Sequence, residues 1–180
     1  MGGRKRVRIK TGRITVSLNN RDFEIIFQDV SGDVTVPSLD RIEEWVRSVF
    51  EPSRRGEMTI RIVDEPEGAD LNERYRNSSG ATNVLAFPAG ELPLLGQVDL
   101  PSIGDLVICA PVIEREAQAQ NKPLEDHWAH ITIHGTLHLE GFDHMDKASC
   151  AVMEARETEL LGSLGFDDPY VGENRSLASD

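Results

Sequence analysis

Residues 134–144, HGTLHLEGFDH, leave the backbone little choice. If the run begins on a helix, His134 and His138 stand one turn apart on the same face, where two imidazoles can reach one ion. Gly141 then allows a sharp reversal, because glycine enters the left-handed region at no steric cost. After that reversal His144 can come back as a third ligand. Three neutral imidazoles leave a fourth position open, the mark of a catalytic rather than a structural zinc site. A structural clip would need a fourth protein ligand. Asp146 and Cys150 follow closely, but nothing in the pattern marks either as one.

Metzincin peptidases carry the same spacing as HExxHxxGxxH, and their glutamate takes a proton from the zinc-bound water. Here that position is Gly135, which has no side chain to do so. Glu140 is no substitute: two residues beyond His138, it projects about 200° around the helix. A peptidase is therefore disfavoured. The ion can still lower the pKa of bound water and polarise a phosphoryl oxygen. His127 and His130 share a stripe of about 80° with His134 and His138. Their plainer reading is as satisfied, partly buried histidines, with a substrate or ligand-supporting contact the alternative for His130. Asp143 either orients an imidazole through its second nitrogen or is an exposed turn carboxylate.

The chain of 180 residues fits one domain that can bury its own core. RITVSLNN and FEIIFQDV have the β-branched and aromatic content of strands. Ser38 caps a helix whose residues Leu39, Ile42, Trp45, Val46, Val49 and Phe50 share a face, and Pro52 stops it. EMTIRIVD alternates, with Met58, Ile60 and Ile62 facing one way and Thr59, Arg61 and Val63 the other, as in a half-buried strand. A short helix is expected over 67–76, a strand at NVLAFP, a surface loop over 89–104 and a buried strand at DLVICAPVI. Helices are expected from near Pro111 to Gln120, from Leu124 to Leu139 with Pro123 in the first turn, and over 146–164. The fold class is α+β: about four strands in a mixed sheet packed with several helices, and a zincin-like metal site on a helix and the turn after it. Residues 1–12 are expected to be a flexible basic arm, 13–170 a single domain and 171–180 a flexible acidic tail.

Charge narrows the partners. The net charge is −12, and it is uneven: residues 1–60 carry 11 Lys or Arg against 9 Asp or Glu, while residues 61–180 carry 8 against 22. A generic nucleic-acid binder shows the opposite balance, so any RNA must meet a local basic patch or be delivered by a partner. No apolar run reaches the roughly 18 residues of a membrane helix, and no apolar segment follows the basic N-terminus as a secretory signal would require. Cys109 and Cys150 are far apart and outside any CxxC pair, which suits two free thiols in a reducing cytoplasm.

With the chemistry read this far, IHGTLHLEGFDH resembles the signature of the YbeY family of bacterial endoribonucleases, the rRNA maturation factors. LNERYR at 71–76, TNVLAFP at 82–88, GDLVICAPVIEREA at 104–117, HWAHITIHG at 127–135 and LGFDDPY at 164–170 agree in order and spacing. The likeness spans most of residues 16–170, and Gly135 separates it from the peptidases. Phe142, Glu140 and Ala86 depart from the usual residues without touching a proposed ligand, and NSSGAT lacks a lysine often found after the YR pair. The resemblance implies a single-strand-specific, metal-dependent endoribonuclease acting in 16S rRNA 3′-end maturation and ribosome quality control. It implies one zinc ion on His134, His138 and His144, an RNA substrate in the 16S precursor, the small ribosomal subunit and its assembly factors as partners, a cytoplasmic location, and no DNA or membrane. Carried onto LNERYR, the functional arginine is Arg76, whose guanidinium can hold a phosphate bidentately and offset transition-state charge. Two alternatives stand beside it: an assembly factor with a mainly structural metal, and a metallohydrolase of another bond.

Overall fold

The computed structural model describes residues 13–20, 22–32, 34–89 and 100–171. The expected basic arm, most of the acidic tail and the middle of the 89–104 loop lie outside them. Five strands form one sheet in the order β1-β2-β3-β5-β4. β1 (Arg13–Asn20) runs antiparallel to β2 (Phe23–Asp29), with Val16 opposite Ile26. β3 (Gly56–Val63) is parallel to both β2 and β5 (Ser102–Cys109). The short β4 (Val84–Pro88) closes the far side antiparallel to β5, with Ala86 opposite Leu106. Every segment expected as a strand is in this mixed sheet, and the α+β class holds.

α1 (Leu39–Val49) begins where Ser38 Oγ accepts the Arg41 amide at 3.4 Å, and it buries Ile42, Trp45, Val46 and Val49. α2 (Glu65–Arg76) starts two residues earlier than the sequence pattern suggests. The Asp64 carboxylate caps the Glu67 amide at 3.0 Å, and Pro66 suits the first turn. α3 (Ala110–Gln120) follows β5 directly, so the apolar run DLVICAPVI is a strand as far as Cys109 and a helix from Ala110. β5 also begins before Asp105, at Ser102, so the last part of the expected loop is strand.

The main core lies between one sheet face and the helices: Ile25, Ile42, Trp45, Met58, Ile60, Leu106, Ile108, Trp128 and Ile133 are all at most 2% exposed. A smaller core on the other face joins Val30, Val63, Leu85, Phe87, Val107, Cys109 and Val112, with Leu71 of α2 against it. This corrects the half-buried reading of β3 at its end. Val63 is fully buried because the sheet is covered on both sides there.

α4 (Leu124–Leu139) is the central helix; it starts at Leu124 as expected, with Pro123 as its N-cap. Ten of its sixteen residues are buried, because the sheet and other helices surround it. Its Gly135 packs on Val84 and Leu106 and its Leu139 on Gly104, so the helix lies along β4 and β5. α5 (Lys147–Ser163) starts at a reciprocal cap: Asp146 accepts the Ala148 and Ser149 amides, and Ser149 Oγ accepts the Asp146 amide at 3.2 Å. No helix among the described residues is long and apolar enough to cross a membrane.

Candidate metal centre

The last two turns of α4 carry His134 and His138, and Glu140 caps the helix. Gly141 follows at φ +89°, where an L side chain is strained, and turns the chain back so that His144 faces the other two rings. The three ring centroids lie 4.7, 5.5 and 4.9 Å apart pairwise. One ring nitrogen from each falls within 4.8 Å of the others, so the three histidines could hold a metal ion.

The outer nitrogens decide where the lone pairs point. His138 Nδ1 is 2.9 Å from the Phe142 carbonyl oxygen, which only accepts, so Nδ1 carries the hydrogen and Nε2 the lone pair. His134 Nδ1 is 2.6 Å from Glu157 Oε1. Burial pushes the Glu157 carboxyl up, but the donors His130, His134 and Tyr170 outweigh it and hold its pKa at about 2. It is therefore an ionised acceptor at neutral pH, so His134 Nδ1 donates to it and Nε2 is the nitrogen left to face an ion. The two Nε2 atoms stand 3.2 Å apart. Two ring nitrogens so placed need something positive between them, a proton or a metal ion. A tetrahedral ion with ligands at 2.0–2.1 Å sets its nitrogens about 3.3 Å apart, a spacing that this pair matches. Burial, with His134 beside it, lowers the His138 pKa and favours the neutral, ligating ring.

Asp146 and Cys150 have other partners. The Asp146 carboxylate caps α5, and the Cys150 thiol faces Glu154 at 3.1 Å. Glu140 pairs with Arg54 at 2.9 Å. Gly135 has a packing reason as well: a Cβ there would lie 2.9 Å from Val84 Cγ2 and 3.1 Å from Leu106 Cδ2. A glutamate at this position would be driven into the seam between helix and sheet. His127 is buried rather than partly buried, and only half satisfied: Nε2 is 2.8 Å from Glu116 Oε2, while its buried Nδ1 has no hydrogen-bond partner among the described residues. Asp143 accepts the backbone amide of His144 at 2.7 Å, so it shapes the turn rather than orienting a ring.

Arg76 is not among the clustered groups. It ends α2, its Nη2 donates to the Ala86 carbonyl at 2.7 Å, and its guanidinium lies 5.5 Å from the Phe87 ring centroid. That puts it on the rim of β4, the strand along which α4 lies. Arg41, Arg47, Arg54, Arg55, Arg61, Arg74, Arg115 and Arg156 each pair with a carboxylate. Among the described residues no carboxylate pairs with Arg76, which is exposed.

Sequence reasoning missed Glu157, Tyr170 and the Phe142 carbonyl. The tyrosine hydroxyl donates to Glu157 Oε2, and its oxygen is 3.4 Å from His130 Nε2. A signal for Glu157 was present. It shares the buried stripe of α5 with Met153, Leu160 and Leu161, an odd place for a lone carboxylate.

The profile of the family described as Endoribonuclease YbeY matches residues 27–165. An Endoribonuclease YbeY of Halorhodospira halophila is 48% identical over 150 residues, covering 83% of this chain and 97% of its own. That of Cellvibrio japonicus is 46% identical over 150 residues, covering 82% and 83%. The solution structure of TM1509 from Thermotoga maritima superposes with a TM-score of 0.43 at 25% identity, over 78% of this chain and 85% of that one. With its convergent imidazoles, its glycine in the peptidase base position and nearly half its aligned residues shared with the Halorhodospira and Cellvibrio proteins, the chain belongs to the Endoribonuclease YbeY family.

Proposed function

We propose that the protein is a zinc-dependent, single-strand-specific endoribonuclease of the cytoplasm that acts in 16S rRNA 3′-end maturation and ribosome quality control. Its partners on this reading are the 16S precursor, the small ribosomal subunit and its assembly factors. One observation carries the metal part: two imidazole nitrogens stand 3.2 Å apart, each with its other nitrogen donating to an acceptor, so that both remaining nitrogens converge beside His144. His134, His138 and His144 are the residues that hold the ion. When bound, the ion supplies Lewis acidity toward a phosphoryl oxygen. Arg76 supplies the second positive element. Without a carboxylate partner among the described residues, its guanidinium is available to grip a phosphate and stabilise charge that grows on it during cleavage. Gly135 leaves the first turn of the motif without a carboxylate base, which argues against peptide hydrolysis.

The test pairs metal content with cleavage of a single-stranded 16S precursor fragment. Wild type should bind one zinc and cut, His138→Ala should lose both, and Arg76→Ala should keep the zinc while losing roughly 100- to 1000-fold in rate. DNA of identical sequence should resist. A 2′,3′-cyclic end would assign the nucleophile to the RNA 2′-hydroxyl, and a linear phosphate to water. Full cleavage by His138→Ala would end this reading.

A further inference from the structure

His134 has a dedicated support, and all of it comes from outside the motif. Glu157 is 1% exposed, on the face of α5 turned toward α4, and its two oxygens serve different donors. Oε1 accepts from His134 Nδ1 at 2.6 Å, and Oε2 accepts the Tyr170 hydroxyl. Such a carboxylate is costly to bury, and the cost is tolerated only where every lone pair has a use. Tyr170 does not arrive by chance. The Asp168 carboxylate accepts both the Tyr170 amide at 3.0 Å and the Thr158 hydroxyl at 3.3 Å, folding the segment back over α5. Lys122 Nζ donates to the Pro169 carbonyl at 2.7 Å and ties the same segment to the start of α4. Phe166, just before it, packs edge-on against Trp45, with centroids 6.1 Å apart. His130 completes the line: its Nε2 is 3.4 Å from the Tyr170 oxygen, which is free to accept because its hydrogen goes to Glu157.

We propose that Glu157, closed over by Tyr170, is a positioning residue that fixes His134 as the Nδ1–H tautomer and aims its Nε2 lone pair at the ion, with segment 166–170 as the strap that holds the pair in place. The proposal rests on the reading of His134 as a metal ligand. Its energetic sense is that a ring already held in the binding tautomer and rotamer need not be ordered when the ion arrives, and a carboxylate behind it makes the ligand more basic. The strap also gives LGFDDPY a role, since its tyrosine reaches the metal site through one intervening carboxylate.

Two readouts separate positioning from general structure. The first is zinc affinity, from competition with a chromophoric chelator. Glu157→Ala should bind zinc roughly 10- to 100-fold more weakly, with Tyr170→Phe and Glu157→Gln between it and wild type. Glu159→Gln, on an exposed position of the same helix, should match wild type. The second is the His134 tautomer in metal-free protein, read from two-bond proton–nitrogen correlations of the imidazoles. Wild type and Glu157→Gln, which keeps an oxygen acceptor, should show hydrogen on Nδ1, and Glu157→Ala should lose that preference. Should Glu157→Ala fail to fold, Tyr170→Phe and Glu157→Gln still decide, since the first removes the hydroxyl and the second removes the charge and one acceptor oxygen. Zinc affinity within twofold of wild type in folded Tyr170→Phe and Glu157→Gln would overturn the positioning role and leave the ligand assignment standing. A wild type that binds no zinc would overturn the ligand assignment itself.

Discussion

The residues that mattered most were legible where their geometry is local. His134, His138, Gly141 and His144 lie on eleven consecutive residues, so helix pitch and one glycine turn settle how they meet. Glu157 lies 23 residues from His134, and Tyr170 another 13 beyond. No periodicity within one segment shows that they converge; only the packing of α5 on α4 does. In the sequence Gly135 signals the absence of a base, and the structure adds a steric reason. Gly135→Glu should therefore create no peptidase. It places a carboxylate and several extra atoms against Val84 and Leu106, and should cost at least about 2–3 kcal/mol of stability by thermal denaturation. A variant as stable as wild type would show that the seam can open.

At the scale of elements, helix starts follow from caps and strands from β-branched runs, and both stand to within a few residues. The discrepancies share a cause. β3 ends buried on both faces and β5 begins early because neighbouring strands and α2 cover them, and a single segment does not announce what lies across from it. The joint between α3, α4 and β4 is of this kind. Glu116 takes His127 Nε2 at 2.8 Å and Asn83 Nδ2 at 3.1 Å, tying α3 to α4 and to the residue just before β4 through one carboxylate. Burial pushes its pKa up, but the hydrogen bonds from His127 and Asn83 prevail and hold it below the ordinary carboxylate value. A group depressed in the folded state adds stability that is present above its unfolded pKa, near 4.5, and lost as the pH falls through its folded value. Glu116→Gln should accordingly lower the melting temperature at pH 7 and flatten its decline below about pH 4.5. Parallel pH profiles for the two proteins would remove Glu116 from the acid limb.

For the whole molecule, the net charge of −12 sets the terms on which RNA can approach. Nucleases that hold RNA through many lysines and arginines lose affinity steeply with salt, in proportion to the phosphates they neutralise. Here most of the arginines whose side chains are described are already committed to carboxylates, and Arg76 is not. Raising salt from 50 to 200 mM should then change KM for a short single-stranded RNA by less than about tenfold, against the 1000-fold or more expected from six to ten phosphate contacts. A steep slope would point to a cationic surface beyond the residues described.

The rim of β4 has a bearing on how the protein behaves in a crowded solution. The amide of Cys109 bonds Asn83 and that of Ala89 bonds Ile103, so alternate residues face β5, and Val84, Ala86 and Pro88 turn their backbone groups outward. Each of these has something set against it. Asn83 Oδ1 accepts the Val84 amide at 2.7 Å, Arg76 occupies the Ala86 carbonyl, and Pro88 has no amide to offer. A strand so short and so blunted is a poor template for a second chain. The guanidinium proposed to grip the phosphate therefore doubles as a guard against self-association, which gives selection two independent grounds for keeping an arginine at position 76.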